Sequence, residues 1–513
     1  MPKRPTAVPF AAVLLDESSS VPLYRQIYDR LRAAILMGQL PPGTGLPSTR
    51  QMATELGVSR NTLMNAFDQL LAEGYVEGHV GSGTFVSRTL PEDLLEARAK
   101  TTRTSRLHTK GRSLSLRGKV LAKTRVTFAG PAGKLRPFSP GIPALDEFPI
   151  ALWSRLVAQR WRGPSAGVLN YGDPAGYMPL REAIAAYLGP SRGVLCQPDQ
   201  IVIVSGTQQA LDLAARILLD AGDSVLVEGY CYVAAQAALL GAGACLVPVP
   251  VDEAGLDISA SVAQSAPARM AYVTPSHQYP LGVTMSLPRR LALLEWANRT
   301  QAWVLEDDYD SEYRYVGRPL AALQGLDRGG RVIYIGTLSK VLFPSLRIGY
   351  LVVPPDLVEV FVTARAVVGW CSPAIDQAVL ADFITEGHFT RHIRRMRPIY
   401  AERQAELINS LHRDLEGLLE VQPADAGIHL TCALPDHFDD RAVAREAATH
   451  GVVVHPLSAF SVGGQAFPRS GLVLGYGAYN VGQIKEAARK LAAALKTVAL
   501  VPKSPESRRR RLR

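Results

Sequence analysis

Cysteine is scarce. The chain has five in 513 residues, Cys196, Cys231, Cys245, Cys371 and Cys432, scattered and with no Cys-x-x-Cys pair. That excludes a disulfide framework and a zinc ribbon, and no metal site is expected. Long hydrophobic runs are also missing, so nothing is expected to span a bilayer, which takes roughly 20 apolar residues. The opening MPKRPTAVPFAAVLLDESSS has an apolar run too short, and too soon acidic, for a secretory signal. A cytoplasmic protein is the expectation. The remaining composition, 47% apolar and 20% charged, is that of an ordinary globular chain with a large core. At roughly 100–200 residues per domain, the length calls for two or three domains.

Net charge is +10, which invites a polyanion partner. Its distribution is uneven. Residues 1–88 carry +1, residues 89–137 carry +9, the tail 503–513 carries +5, and 138–502 carry −5. The expected organisation is an N-terminal extension (1–19), a small domain (20–87), a basic flexible linker (88–137), a large domain (138–502) and a basic tail. Linker and tail read either as solvated chain or as contacts to DNA phosphates.

In the small domain Leu23, Ile27, Leu31 and Ile35 recur at steps of four, an amphipathic helix. Ser48 caps a second helix ending at Gly57, and Ser59 caps a third ending at Gly74, with Leu63, Phe67, Leu70 and Leu71 as its buried face. The tight Gly57-Val58 turn makes this a helix-turn-helix. YVEGHVGSGTFV then reads as two strands around Gly81 and Gly83, a wing. The third helix would enter the major groove of double-stranded DNA, with Arg60, Asn61 and Thr62 at base edges. Ser48 and Arg50 would sit on phosphate, and Gly81 and Gly83 would let the wing approach. Residues 20–87 resemble the winged helix of the GntR family.

From 138 onward apolar strands alternate with helices, implying an α/β sheet covered on both faces, with a smaller C-terminal lobe beginning near 370–420. Lys340 follows the strand in YIGTLSK and is a candidate imine-forming amine. Thr337, Ser339 and Arg347 are phosphate-holding types. SGTQQ leaves a strand and enters a helix, so Thr207, Gln208 and the backbone N–H groups make a second anion cradle. In VLEDDYD, Asp307 or Asp308 can pair with a protonated pyridine nitrogen, Tyr309 can bond a ring hydroxyl, and Tyr230 offers a stacking ring.

Together with YGDPAGYMPLREAIAAYL and TPSHQYPLG, these segments closely resemble the fold-type I pyridoxal-phosphate enzymes of the aminotransferase class, over nearly all of 138–497. The resemblance implies pyridoxal 5'-phosphate as cofactor, Lys340 as its Schiff-base lysine, Asp307 at the pyridine nitrogen, Tyr309 by the ring oxygen, and His277 and Gln278 near the ring edge. Asp308 is the alternative to Asp307.

A winged helix joined to such a domain resembles the MocR/GabR-type regulators. That likeness implies a transcription factor using the aminotransferase fold as a sensor, and a head-to-tail, domain-swapped homodimer. One position departs from the pattern: where the lobe's carboxylate-gripping arginine would stand, GLVLGYG has Val473, and Tyr232 stands at the GABA-sensing member's second arginine. Arg391, Arg394, Arg395 and Arg397 are substitutes only if they reach the pocket; surface or structural pairing is the expectation. The expected effector is therefore pyridoxal phosphate itself, as in the pyridoxine-regulating PdxR branch, or a small amino compound, with sensing rather than turnover. Two other readings stand beside it: a working aminotransferase with an accessory DNA-binding domain, and a cofactor-free dimerisation scaffold.

Overall fold

The computed structural model describes residues 15–16, 18–79, 83–90, 113–124, 135–164, 166–262, 267–317, 320–422, 424–463 and 470–500. Residue Gly81, the tail 503–513 and most of the N-terminal extension lie outside them. The chain divides into two compact units, 1–113 and 114–513.

The first unit is three helices and a small sheet. Leu23–Leu36 buries Ile27, Tyr28, Leu31 and Ile35 against Leu63, Ala66, Phe67 and Leu70 of Arg60–Ala72. Fully burying such a side chain contributes about 1.5–3 kcal/mol, which is what holds so small a core. Leu71, expected inside, is half exposed; one step past Leu70 turns it off the stripe, and Ala66 takes the place. Thr49–Leu56 ends at Gly57, whose φ of 68° is the left-handed conformation this turn needs. Val76–His79 and Gly83–Val86 pair antiparallel, and Gly45–Leu46 joins the sheet's other side.

The second unit is built on seven strands in the order 201–204, 349–352, 332–337, 303–308, 270–273, 224–228, 245–249. Only Gly349–Val352 runs against its neighbours. The strands are apolar on both faces: Val225 and Val227 pack into one core and Leu226 into another. The other six strands run the same way, so their C-terminal ends open on one edge, where α/β sheets bind ligands.

A second, four-stranded antiparallel sheet (420–422, 429–433, 471–475, 455–456) forms the smaller lobe, packed by helices His388–Leu415 and Val481–Leu500. Phe138 bridges to Gly475, so the start of the large domain is stitched to this lobe.

The linker differs from expectation. Leu116–Lys123, placed in a flexible stretch on sequence grounds, is a helix capped by Ser115 and packed on Val233–Ala242. Its sequence carries no strong apolar stripe of its own, so only the surface beneath it reveals it. A Cβ at Gly241 would lie 3.0 Å from a Leu121 methyl carbon, so the missing side chain makes the seat. Gln208, Asp212 and Arg216 line the same cleft as Arg117 and Leu121. Replacing Gly241 with Leu should therefore unseat the short helix and leave the domain folded, since leucine favours a helix more than glycine does. Hydrogen exchange should show protection lost over 116–123 with the effector domain's exchange unchanged.

Candidate functional site: a cofactor cradle and a DNA-reading helix

In the first unit, Ser48 accepts a hydrogen bond from the Gln51 amide at 3.2 Å, and Ser59 from the Thr62 amide at 3.1 Å. Both serine oxygens accept as helix caps, worth about 1 kcal/mol each. The Thr62 hydroxyl lies 2.8 Å from that of Ser59. Arg50, Arg60 and Asn61 are exposed. Asn65, one turn after Asn61, is exposed beside them and was legible from the i, i+4 spacing. Gly83 opens its strand and is exposed.

In the second unit the strand ends bring the chemistry together. Asp307 and Asp308 are neighbours on Trp303–Asp308, so they point to opposite faces. Asp308 is tied down: its Oδ2 accepts from Arg192 at 2.8 Å and from the Tyr334 hydroxyl at 2.6 Å. Asp307 accepts from the Tyr272 hydroxyl at 2.8 Å, and its Oδ1 has no partner among the described residues. Burial pushes the Asp307 carboxyl up to about 7, with the Tyr272 bond opposing and the Asp308 charge adding. That is an acid awaiting a cation.

Lys340 follows the neighbouring strand Val332–Thr337, and its Nζ donates to the Gly141 carbonyl at 2.8 Å. Burial lowers its pKa; Asp310 and then Asp307 oppose this. A lowered pKa is what leaves an amine free to act as a nucleophile.

Phosphate would sit where helix Thr207–Leu218 begins. Arg347 donates to the Ser205 carbonyl at 2.8 Å, and its guanidinium lies 3.4 Å from where a Cβ on Gly206 would be. The helix's free N–H groups, Thr207 and this guanidinium converge on one spot. Thr337 accepts from the Ser339 amide at 3.3 Å, while the buried Ser339 hydroxyl and Gln208 Oε1 have no partner among the described residues. The Ser339 hydroxyl, the Arg347 guanidinium and the helix N–H groups, with Lys340 and Asp307 Oδ1, fit pyridoxal phosphate: donors for the phosphate, an amine for the aldehyde and an acid for the ring nitrogen. Gln208 Oε1 is an acceptor and is not one of those donors, its Nε2 being spent on the Ala234 carbonyl.

Several expected residues stand differently. Tyr230 is turned down into the apolar cluster of Leu457, Phe460 and Val473. Tyr232, two residues on, feels the charges of Asp307 and Arg347, and burial first of all pushes its phenol up to about 12. Tyr232 precedes helix Val233–Ala242, and its ring meets that of Tyr279 at 5.7 Å, with Tyr279 in turn 5.7 Å from Tyr309. Gln278 is fully engaged: its Nε2 donates to Glu228 and to the Tyr230 and Tyr279 carbonyls, and its Oε1 accepts from the Leu281 amide. It knits a turn, with both ends of its amide engaged. His277 packs against Tyr309, with ring centroids 5.8 Å apart. Tyr279, Tyr272 and Asp310 were missed; each lies in or beside a segment the sequence had marked, with no signal for its direction.

Val473 is buried beside Tyr230, Leu457 and Phe460, and Tyr279 packs on that cluster while touching Tyr309 and Tyr232. The wall next to the ring site is therefore apolar. The arginines considered as substitutes are engaged elsewhere or exposed: Arg391 on the Glu386 carbonyl, Arg395 on that of Glu147, Arg397 on that of Glu312, and Arg394 exposed. His277, Asp310 and His429 present possible metal ligands within 4.8 Å of one another. Of their ring nitrogens, His277 Nδ1 is in use on Asp310 and Tyr309 and His429 Nε2 on the Pro280 carbonyl, while His277 Nε2 has no partner among the described residues.

Burial raises Glu228, Glu306, Asp307 and Glu312 each to about 7. In the unfolded chain such acids ionise near pH 4. Between about pH 4 and 7 the unfolded state therefore holds fewer protons, and stability falls as pH rises. Asp307→Asn removes one such proton, so the cofactor-free variant should show a shallower fall. Urea denaturation of the effector domain at pH 5 and pH 7 measures it.

Residues 23–86 match the family model "Bacterial regulatory proteins, gntR family", and residues 152–491 match "Aminotransferase class I and II". The chain is 44% identical over 489 residues to the probable rhizopine catabolism regulatory protein MocR of Rhizobium meliloti, covering 94% of this chain and 95% of that one. It is 32% identical to the pyridoxine biosynthesis transcriptional regulator PdxR of Corynebacterium glutamicum, over 90% of this chain and 93% of that one. The α-aminoadipate aminotransferase LysN of Thermus thermophilus, solved with N-(5'-phosphopyridoxyl)-L-leucine, aligns with a TM-score of 0.67 at 30% identity, over 72% of this chain and 94% of that one. Among the described residues no helix is long and apolar enough to cross a membrane. The chain belongs to the GntR-family regulators of the MocR and PdxR type, whose winged helix is fused to a pyridoxal-phosphate-binding aminotransferase-like domain.

Proposed function

We propose that this regulator reads pyridoxal phosphate itself, rather than an α-amino acid, and passes the reading to operator DNA in the cytoplasm. The observation that carries this is a complete cofactor cradle beside an apolar wall at Val473. When bound, pyridoxal phosphate supplies an aldehyde that a lysine amine captures reversibly. Lys340 holds that end, Asp307 keeps the ring nitrogen protonated, Tyr309 bonds the ring oxygen, and Tyr232 lies against the ring. Arg347, Thr207, Ser339 and Thr337 hold the phosphate. An α-carboxylate would need a paired cation, and a buried valine offers none. The name of the 32% relative, a pyridoxine biosynthesis regulator, supports the reading.

DNA is read by Arg60 and Asn61 at base edges, with Thr62 held by Ser59, while Arg50, Ser48 and the wing around Gly81 and Gly83 position the helix on phosphates. A homodimer presents two such helices. Support for it comes from an apolar face on the large domain: Leu169, Tyr171, Val367 and Trp370 are at least half exposed, and the Tyr171 and Trp370 rings meet at 6.3 Å. Head-to-tail exchange of the winged helices is the arrangement we favour. Cofactor must bind one arrangement of that dimer more tightly than another for the signal to reach DNA.

Loaded protein should show a visible absorption band that Lys340→Ala abolishes, and calorimetry should find tight binding of pyridoxal phosphate and none of amino acids. Tight amino-acid binding that requires Lys340 would sink the reading. Separately, Arg60→Ala should weaken operator binding by about 10- to 100-fold, the worth of a bidentate base contact, with the visible band unchanged. Undiminished discrimination between operator and random DNA would overturn that assignment.

A further inference from the structure

His277 Nδ1 lies 3.0 and 3.1 Å from the two oxygens of Asp310, and 2.9 Å from the Tyr309 hydroxyl. All three side chains are buried or nearly so. One nitrogen cannot serve both neighbours in any way it likes. An ionised carboxylate only accepts, so the nitrogen beside it must carry the hydrogen. That leaves Nδ1 without a lone pair for the phenol's proton. The Tyr309 oxygen can only be a second acceptor of the same N–H, and its own proton is turned elsewhere.

We propose that Asp310 and His277 are positioning residues for Tyr309: by holding an N–H on the phenol oxygen, they commit the Tyr309 proton to the ligand side of the pocket. The proposal rests on the reading that Tyr309 meets the cofactor's ring oxygen. A phenol that arrives already oriented loses less freedom on binding and gives a stronger donor, since chained hydrogen bonds polarise one another.

The pair is clamped from the smaller lobe. A Cβ on Gly427 would fall 2.0 Å from His277 Cε1 and 2.8 Å from Asp310 Oδ2, so only a glycine backbone can pass there. That backbone is fixed: the Gly427 amide donates to the Tyr313 carbonyl at 2.8 Å, and its carbonyl accepts from Tyr476 at 2.7 Å and from Tyr315. His277 Nε2, which would carry the hydrogen in the other tautomer, has no partner among the described residues, in keeping with the hydrogen being on Nδ1.

The test compares the visible band position of the loaded full-length protein and its dissociation constant for pyridoxal phosphate. Tyr309→Phe should shift the band. Asp310→Asn, with nearly the same shape but an amide able to donate, should shift it in the same direction and weaken pyridoxal phosphate binding by about tenfold, the loss of one charge-assisted bond. In Tyr309→Phe the further Asp310→Asn change should add no shift. His277→Phe keeps the ring packing and removes the N–H; it should give the same shift, and it decides the matter if Asp310→Asn does not fold. A band displaced by Tyr309→Phe but unmoved by Asp310→Asn or His277→Phe would overturn the proposal, including when those two variants merely melt earlier. A band unmoved by Tyr309→Phe would remove the reading beneath it as well.

Discussion

The period-two alternation of one strand end organises the site. Two adjacent buried acids cannot both go uncompensated, and Trp303–Asp308 sends them to opposite faces. On one face Asp308 meets the Arg192 guanidinium, itself bonded to the Ser276 hydroxyl at 2.7 Å, so that charge is neutralised permanently. On the other face Asp307 has a phenol and one unspent oxygen. Uncompensated burial of that kind costs stability in the empty protein and is relieved by a cationic ligand. Around it, the ends of the parallel strands supply the amine and the helix N-terminus, and the turn entering the antiparallel strand Gly349–Val352 supplies the guanidinium.

Most of the fold was legible because its signals are local. Serine caps, the Gly57 turn and apolar steps of four specify the winged helix without reference to anything distant. Apolar strand runs between helices specify the large sheet. The anion cradle was legible too, since a strand–SGTQQ–helix junction fixes where the N–H groups point.

Direction was less legible than identity. EGYCY offers two tyrosines two residues apart, and past the strand end the period of two no longer says which faces the ligand. The structure turns Tyr230 under the smaller lobe and leaves Tyr232 at the helix start. Gln278 has the right chemistry for a ring contact, yet two of its four hydrogen bonds, to Glu228 and to the Tyr230 carbonyl, span about fifty residues, and no spacing encodes them. Asp308 became distinguishable from Asp307 only through Arg192, 116 residues away. Leu116–Lys123 lacked a stripe of its own, and it is Gly241 on another helix that explains it.

The helix Thr207–Leu218 has two neighbours of different kinds. Its first turn closes the anion cradle, and the side chains of Gln208, Asp212 and Arg216 line the cleft beneath Leu116–Lys123. Twelve residues make a rod of about 18 Å. Anchoring of the chain that arrives from the DNA-binding unit and capture of an anion thus draw on one stiff element. Whatever energy couples the two events must act equally in both directions. A protein whose cradle is filled more tightly when its connector is seated is, to the same degree, one whose connector sits more firmly when the cradle is filled.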